Sequence, residues 1–178
     1  KALIESYNAV PNLGDGAAQG TIGDITATVS DTTMAKLGVI PGSVTSTGAG
    51  GSTEAVTGAY SITVSDAEIV AADLNTLDAL TTTAITISAT TPTITGTLTT
   101  GATDAVNKAL ASKGITGASA LNVKADAGTY TIAQANYASA LTTGVITATI
   151  ASSTLTALGA LNETGNAYTI DVSDTGTV

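Results

Sequence analysis

From Ile25 onward the chain returns again and again to one short pattern, an apolar residue at every second position with threonine or serine between. Ile25, Ala27 and Val29 alternate with Thr26, Thr28 and Ser30, and Ile146, Ala148 and Ile150 alternate with Thr147 and Thr149. A period of two marks a strand with one face buried, because successive side chains leave a pleated backbone on opposite sides. Ile62/Val64, Ile85/Ile87, Ile94/Leu98 and Ile170/Val172 repeat the signal, so about eight strands are expected. Threonine suits the wet face, since its β-branch favours extended backbone while its hydroxyl stays in water.

Helical spacing interrupts the strands. Val70, Leu74, Leu77 and Leu80 fall on one helical stripe, with Ser65 and Glu68 spaced as a capping box ahead of it. Val106 and Leu110 mark a second helix that starts at Thr103 or Asp104 and stops at Gly114, with Ile115 placed for a Schellman contact. Shorter helices are expected at 33–37, 134–141 and 153–158, the first and last ending at Gly38 and Gly159. Strand and helix in alternation favour right-handed crossovers between parallel strands.

Internal similarity decides whether such a chain is read as a site or as an array. Residues 25–40, "ITATVSDTTMAKLGVI", align without gaps on 146–161, "ITATIASSTLTALGAL", with 7 of 16 positions identical. "YSITVSD" at 60–66 is nearly repeated by "YTIDVSD" at 168–174, and Tyr-x-Ile recurs at Tyr130 as the start of a further strand-like run. Thr-Gly punctuates the chain at Gly48, Gly58, Gly96, Gly101, Gly117, Gly144, Gly165 and Gly176. Spacing is irregular: Ile25 to Ile62 spans 37 residues and Ile146 to Ile170 spans 24, the excess being the Gly/Ser/Thr-rich Pro41–Ala59, which reads as an exposed loop.

The predicted fold is therefore mixed α/β and strand-rich, with repeated strand/short-helix units arranged as a solenoid or as stacked layers. Residues 1–10 form an arm, 11–24 a flexible linker, and 25–178 the degenerate repeats, divided near 25–100 and 101–178 with the last repeat incomplete. These units, "YSITVSDAEIVAADLNTLDALTT", "TITGT", "NKALASKGITG" and "YTIDVSDTGTV", resemble those of the giant repetitive extracellular β-strand-repeat surface proteins of cyanobacteria and other bacteria. The resemblance implies a cell-surface or matrix location and a structural or adhesive role. Many relatives carry glycine-rich calcium nonapeptides of the form GGxGxD; "LGDGAAQG" at 13–20 does not fit that form.

Composition narrows the chemistry. Threonine occurs 36 times, Phe, Trp, Cys, His and Arg are absent, and five lysines face fourteen carboxylates for a net charge of −9. Thin layers of small and β-branched residues fit this inventory better than a thick aromatic core. An acidic chain without guanidinium groups repels phosphate backbones and anionic headgroups, which argues against nucleic acid and membrane surface as partners. No run approaches 18 consecutive apolar residues, so no membrane span is expected. Lys1 in first place suggests a processed chain or an excised segment, and the Thr/Ala/Gly/Asp-rich composition, poor in Cys and basic residues, suggests an exported one.

Each candidate for chemistry has a plainer reading. Asp174-Thr175-Gly176 follows an apolar strand as a catalytic aspartate would, but that chemistry needs a second such carboxylate, so a turn is the better reading. Asp171 with Asp174, or Asp66 with Asp73 and Asp78, could supply oxygen ligands, yet none has calcium-loop spacing. Asp66 reads as a helix cap, and Asp73 and Asp78 as a solvated face. Calcium is thus the one cofactor entertained, and loosely. Thr33-x-x-Lys36 as a nucleophile pair and Asn162-Glu163-Thr164 as a glycosylation acceptor both occur at chance frequency in this composition. Thr81 to Thr83 and Thr90 to Thr93 are candidate O-glycosylation sites. No catalytic, cofactor-binding or metal residue is assigned, and an enzyme is not expected.

The expected role is that of a secreted subunit or fragment of a self-assembling cell-surface filament, sheath or surface layer. Its partner would be itself, through end-to-end contacts between the N-terminal arm and the unfinished C-terminal repeat. The alternative is an adhesin repeat module that binds glycan or a surface through its loops, Pro41–Ala59 above all.

Overall fold

A computed structural model describes residues 26–28, 33–34, 44–47, 53–56 and 59–174. The arm at 1–10 and the linker at 11–24 lie outside the described residues. The fold is mixed α/β, strand-rich, and built on parallel sheets.

The first strands are β1 (Thr26–Thr28), β2 (Val44–Thr47), β3 (Thr53–Val56), β4 (Ala59–Ser61), β5 (Thr63–Val64) and β6 (Glu68–Val70). Then α1 (Ala71–Ala79) leads to β7 (Ile85–Ile87) and β8 (Thr93–Gly96), and α2 (Ala105–Ala111) to β9 (Ile115–Thr116) and β10 (Asn122–Ala125). Finally α3 (Ile132–Ser139) precedes β11 (Ile146–Ser153), and α4 (Leu155–Leu158) precedes β12 (Ala167–Val172). Five strands pair in the order β12-β11-β10-β8-β6 and three in the order β5-β7-β9, every pair parallel. Strand order follows chain order within each sheet, as helical crossovers between parallel neighbours allow.

In-register pairing sets like residues one above another. Ile69 faces Ile94, Ile94 faces Val123, and Val123 faces Ile146, and all four are fully buried. Leu74, Leu77, Val106, Leu110 and Leu98 complete the core with small residues such as Ala71, Ala109 and Ala138. The inward alanines of α3, Ala135 and Ala138, bring that helix close to its support. Burying an aliphatic side chain of this size is worth about 2 kcal/mol, so the column of four is a principal stabilising feature.

Four expectations are corrected here. Glu68–Val70 is strand, not the start of a helix: pairing with β8 buries Ile69 and leaves Val70 51% exposed. α1 therefore begins at Ala71, with Val70 in the cap position and no side-chain cap, so Ser65 and Glu68 frame no capping box. Secondly, α2 does begin at Asp104, whose Oδ1 accepts the Asn107 N–H at 2.7 Å, but it stops at extended Ser112 and forms no Schellman turn. Thirdly, Tyr130 makes one parallel bridge to Ile150, and Thr131 is already the cap of α3, in a capping box with Gln134. Lastly, Pro41–Ala59 contains β2 and β3, which pair antiparallel from Val44↔Val56 to Thr47↔Thr53.

Candidate assembly surface

Hydroxyl groups hold successive turns of chain together. After α1, Thr81 Oγ1 accepts the N–H of Tyr60 at 2.9 Å and of Thr83 at 3.1 Å, and donates to the Tyr60 carbonyl at 2.8 Å. After α2, Ser112 Oγ accepts the Gly114 N–H and donates to Asp78 Oδ2 at 2.7 Å. After α3, Thr142 Oγ1 accepts the Gly144 N–H and donates to the Leu121 carbonyl at 2.6 Å. Each side chain closes its own local turn and grips residues about 20 to 35 positions earlier, as Ser/Thr turn chemistry permits. Reading threonine only as the wet face of a strand misses this use; a hydroxyl residue one to three places after α1, α2 and α3 is the sequence signal that could have found it.

Asparagines add links of the same span. Asn75 Nδ2 donates to the Ala105 carbonyl at 2.8 Å, and Asn136 Nδ2 to the Ala160 carbonyl at 2.7 Å. Asn107 is fully buried, with its Nδ2 directed at the carbonyls of Thr99 and Gly101 and at Asp104 Oδ2.

The candidate residues named from sequence fall into structural roles. Asp174 Oδ2 accepts the Leu155 N–H at 2.8 Å, at the start of α4, and Asp66 Oδ2 accepts the Met34 N–H at 2.8 Å, so Asp66 does not cap α1 as expected. Asp73 is exposed on α1, whereas Asp78 is half-buried against Ser112. Asp171 is exposed on β12. Among the described residues no group of three or more acidic side chains is placed to hold a metal ion. Asn162 is exposed, its N–H donating to Asn136 Oδ1. Thr81 is occupied by its clasp, while Thr82, Thr83, Thr90 and Thr91 are exposed. Lys36, Thr175 and Gly176 lie outside the described residues.

The matched sequence copies make matched contacts. β1 pairs with β4 as Thr26↔Ala59, Ala27↔Tyr60 and Thr28↔Ser61, and β11 with β12 as Thr147↔Ala167, Ala148↔Tyr168 and Thr149↔Thr169. Under the alignment of 25–40 on 146–161 and of 60–66 on 168–174, these are the same register. The same alignment carries the Asp66–Met34 bond onto the Asp174–Leu155 bond.

Burial separates the two copies. Ile62 and Val64 are 1% and 0% exposed, whereas their counterparts Ile170 and Val172 are 42% and 46% exposed, beside Leu155 at 64%. β12 forms one edge of the five-stranded sheet and exposes these aliphatic side chains. Tyr168 is half-buried; burial holds its phenol above the ordinary value, the Glu163 carboxylate adds to this, and the Asn166 Nδ2 that donates to its oxygen at 3.0 Å opposes it. Tyr130 is pushed the same way by burial and then by the Asp126 carboxylate. No helix among the described residues is long and apolar enough to cross a membrane.

Neither a family model, a curated protein nor a solved structure matches this chain.

Proposed function

We propose that this chain is a structural subunit of an extracellular, self-assembling array such as a cell-surface filament, sheath or surface layer. Its strands and short helices act as stacked, solenoid-like layers, each completed by the one that follows. The supporting observation is the contrast at the matched positions: aliphatic residues wholly covered at Ile62 and Val64 stand open at Ile170 and Val172. An open parallel edge with apolar side chains is a template for another strand, and soluble proteins that do not use such an edge blunt it with lysine, proline or a bulge. β12 carries neither lysine nor proline, its one charge is Asp171, and its one irregularity lies between Ile150 and Ser153 on the partner strand. The clasps from Thr81, Ser112 and Thr142 fit a load-bearing role, because they tie each turn of chain to its predecessor independently of the sheets.

The test is negative-stain imaging and sedimentation of the intact protein over a wide concentration range. Linear or sheet-like assemblies that grow with concentration are expected; a monomer throughout would refute the reading. Removal of residues 1–10 in the same assay reports whether the arm is needed as a linker.

The hairpin of β2 and β3 favours a second reading, since these strands pair only with each other among the described residues. A glycan-binding adhesin module would use such an appendage. Binding of the monomer to a glycan panel, lost when residues 44–56 are replaced by a short glycine linker, would favour that role.

A further inference from the structure

The open edge at β12 has a counterpart inside the same chain that shows what covers it. Past β4 the chain continues into β5, where Thr63 faces Thr86 and Val64 faces Ile87 of β7. Thr86 N–H donates to the Ile62 carbonyl and Ser88 N–H to the Val64 carbonyl, both at 2.9 Å. A parallel strand thus seals the positions that correspond to Ile170 and Val172.

Among the described residues, β1 offers the complementary edge. Its counterpart β11 takes β10 on the edge away from β12, with Val123 facing Ile146 and Lys124 facing Thr147. Among the described residues, β1 pairs only with β4. The outer edges of β12 and β1 are therefore the two halves of contacts that this chain already makes with itself. Direction agrees as well, because β1–β4 and β11–β12 are both parallel pairs in one register. Residue type also agrees: β7 brings Ile85-Thr86 to this contact, and in sequence Thr26 of β1 likewise follows an isoleucine.

We propose that the partner of the β12 edge is a second copy of this chain, whose β1 adds to that edge in parallel and closes over Ile170 and Val172. The contact is heterologous: each added copy presents a fresh β12, so growth is open-ended unless the rotation per copy closes a ring. This inference rests on the self-assembly reading and names the strand that carries it.

The natural absence of cysteine makes a direct test possible. One preparation of full-length protein carries Asp171→Cys, and a second carries Thr26→Cys or Thr28→Cys, two positions that cover neighbouring registers of the same strand face. The two are mixed and treated with dibromobimane, which fluoresces once it bridges two thiols. A chain carrying both Thr63→Cys and Thr86→Cys serves as the control, since those residues face each other across β5 and β7. We expect fluorescent dimers in the mixture and at most a tenth of that yield in either single preparation. Bridging in the control without bridging in the mixture overturns the inference; if assemblies still form there, the broader reading survives. Monomers alone in imaging and in the bridging mixture would overturn both. Ile170→Asp in the unmodified chain is expected to abolish assembly while leaving its thermal melt within a few degrees, because Ile170 is already partly exposed.

Discussion

Replacing Gly144 with alanine probes the close approach between successive turns of chain. A methyl group there would lie 2.5 Å from the Leu121 carbonyl carbon and 2.7 Å from the Asn122 nitrogen, and closer still to the Leu121 oxygen. Ordinary van der Waals contact begins at 3.4 Å, so backbone must retreat by more than about 0.9 Å, and no flexible side chain can absorb the shift. Three bonds cross this contact: Thr142 Oγ1 to the Leu121 carbonyl at 2.6 Å, Val145 N–H to Asn122 Oδ1 at 2.8 Å, and Val123 N–H to the Val145 carbonyl at 2.9 Å. Forcing a methyl into a packed site costs about 1 to 3 kcal/mol, and each weakened bond is worth about 1 kcal/mol net. Gly144→Ala should therefore lose about 3 kcal/mol, a fall in Tm of about 6 to 12 °C for a chain of this size. Urea and thermal melts followed by circular dichroism measure it. Gly101→Ala is the control, because its nearest neighbour would be Thr103 Oγ1 at 3.9 Å, and it should change stability by less than about 0.5 kcal/mol. A Gly144→Ala protein that melts within about 2 °C of the parent would refute the close-contact argument.

Asn107→Ala removes a wholly buried amide that serves the Thr99 and Gly101 carbonyls and should cost about 3 kcal/mol by urea melt. Lys124→Ala breaks the 3.2 Å ion pair with Glu68, but those side chains are 57% and 60% exposed, so a denaturation midpoint equivalent to less than about 0.5 kcal/mol of change is expected. The phenols of Tyr130 and Tyr168 are held above 10.0, so the folded state retains their protons longer than the unfolded chain does. Their stabilising contribution is complete below pH 10 and declines as pH rises through the raised values; melts between pH 9 and 12 should show this, and Tyr130→Phe with Tyr168→Phe should flatten the decline.

Local pattern determined much of this protein. Alternation at Ile85/Ile87 and Ile146/Ala148/Ile150 marked strands that the fold contains, and a cap at Thr103 or Asp104 was legible because the bond that Asp104 accepts lies three residues away. The repeat of 25–40 at 146–161 carried over to a common register because the same alternation and the same turn chemistry recur in both. Tertiary structure decided what depends on a distant neighbour. Whether Ile69 or Val70 faces the core follows from pairing with β8, and no helical stripe encodes that. The clasps of Thr81, Ser112 and Thr142 join residues 21 to 34 apart, so their partners could not be read from spacing. Most of all, Ile62 and Ile170 sit in nearly identical heptapeptides, and burial differs because the first is followed by a strand that pairs with β7 whereas, among the described residues, β12 has no strand on its outer edge. A side chain's periodicity is a property of its own segment; its exposure is a property of whatever lies across from it.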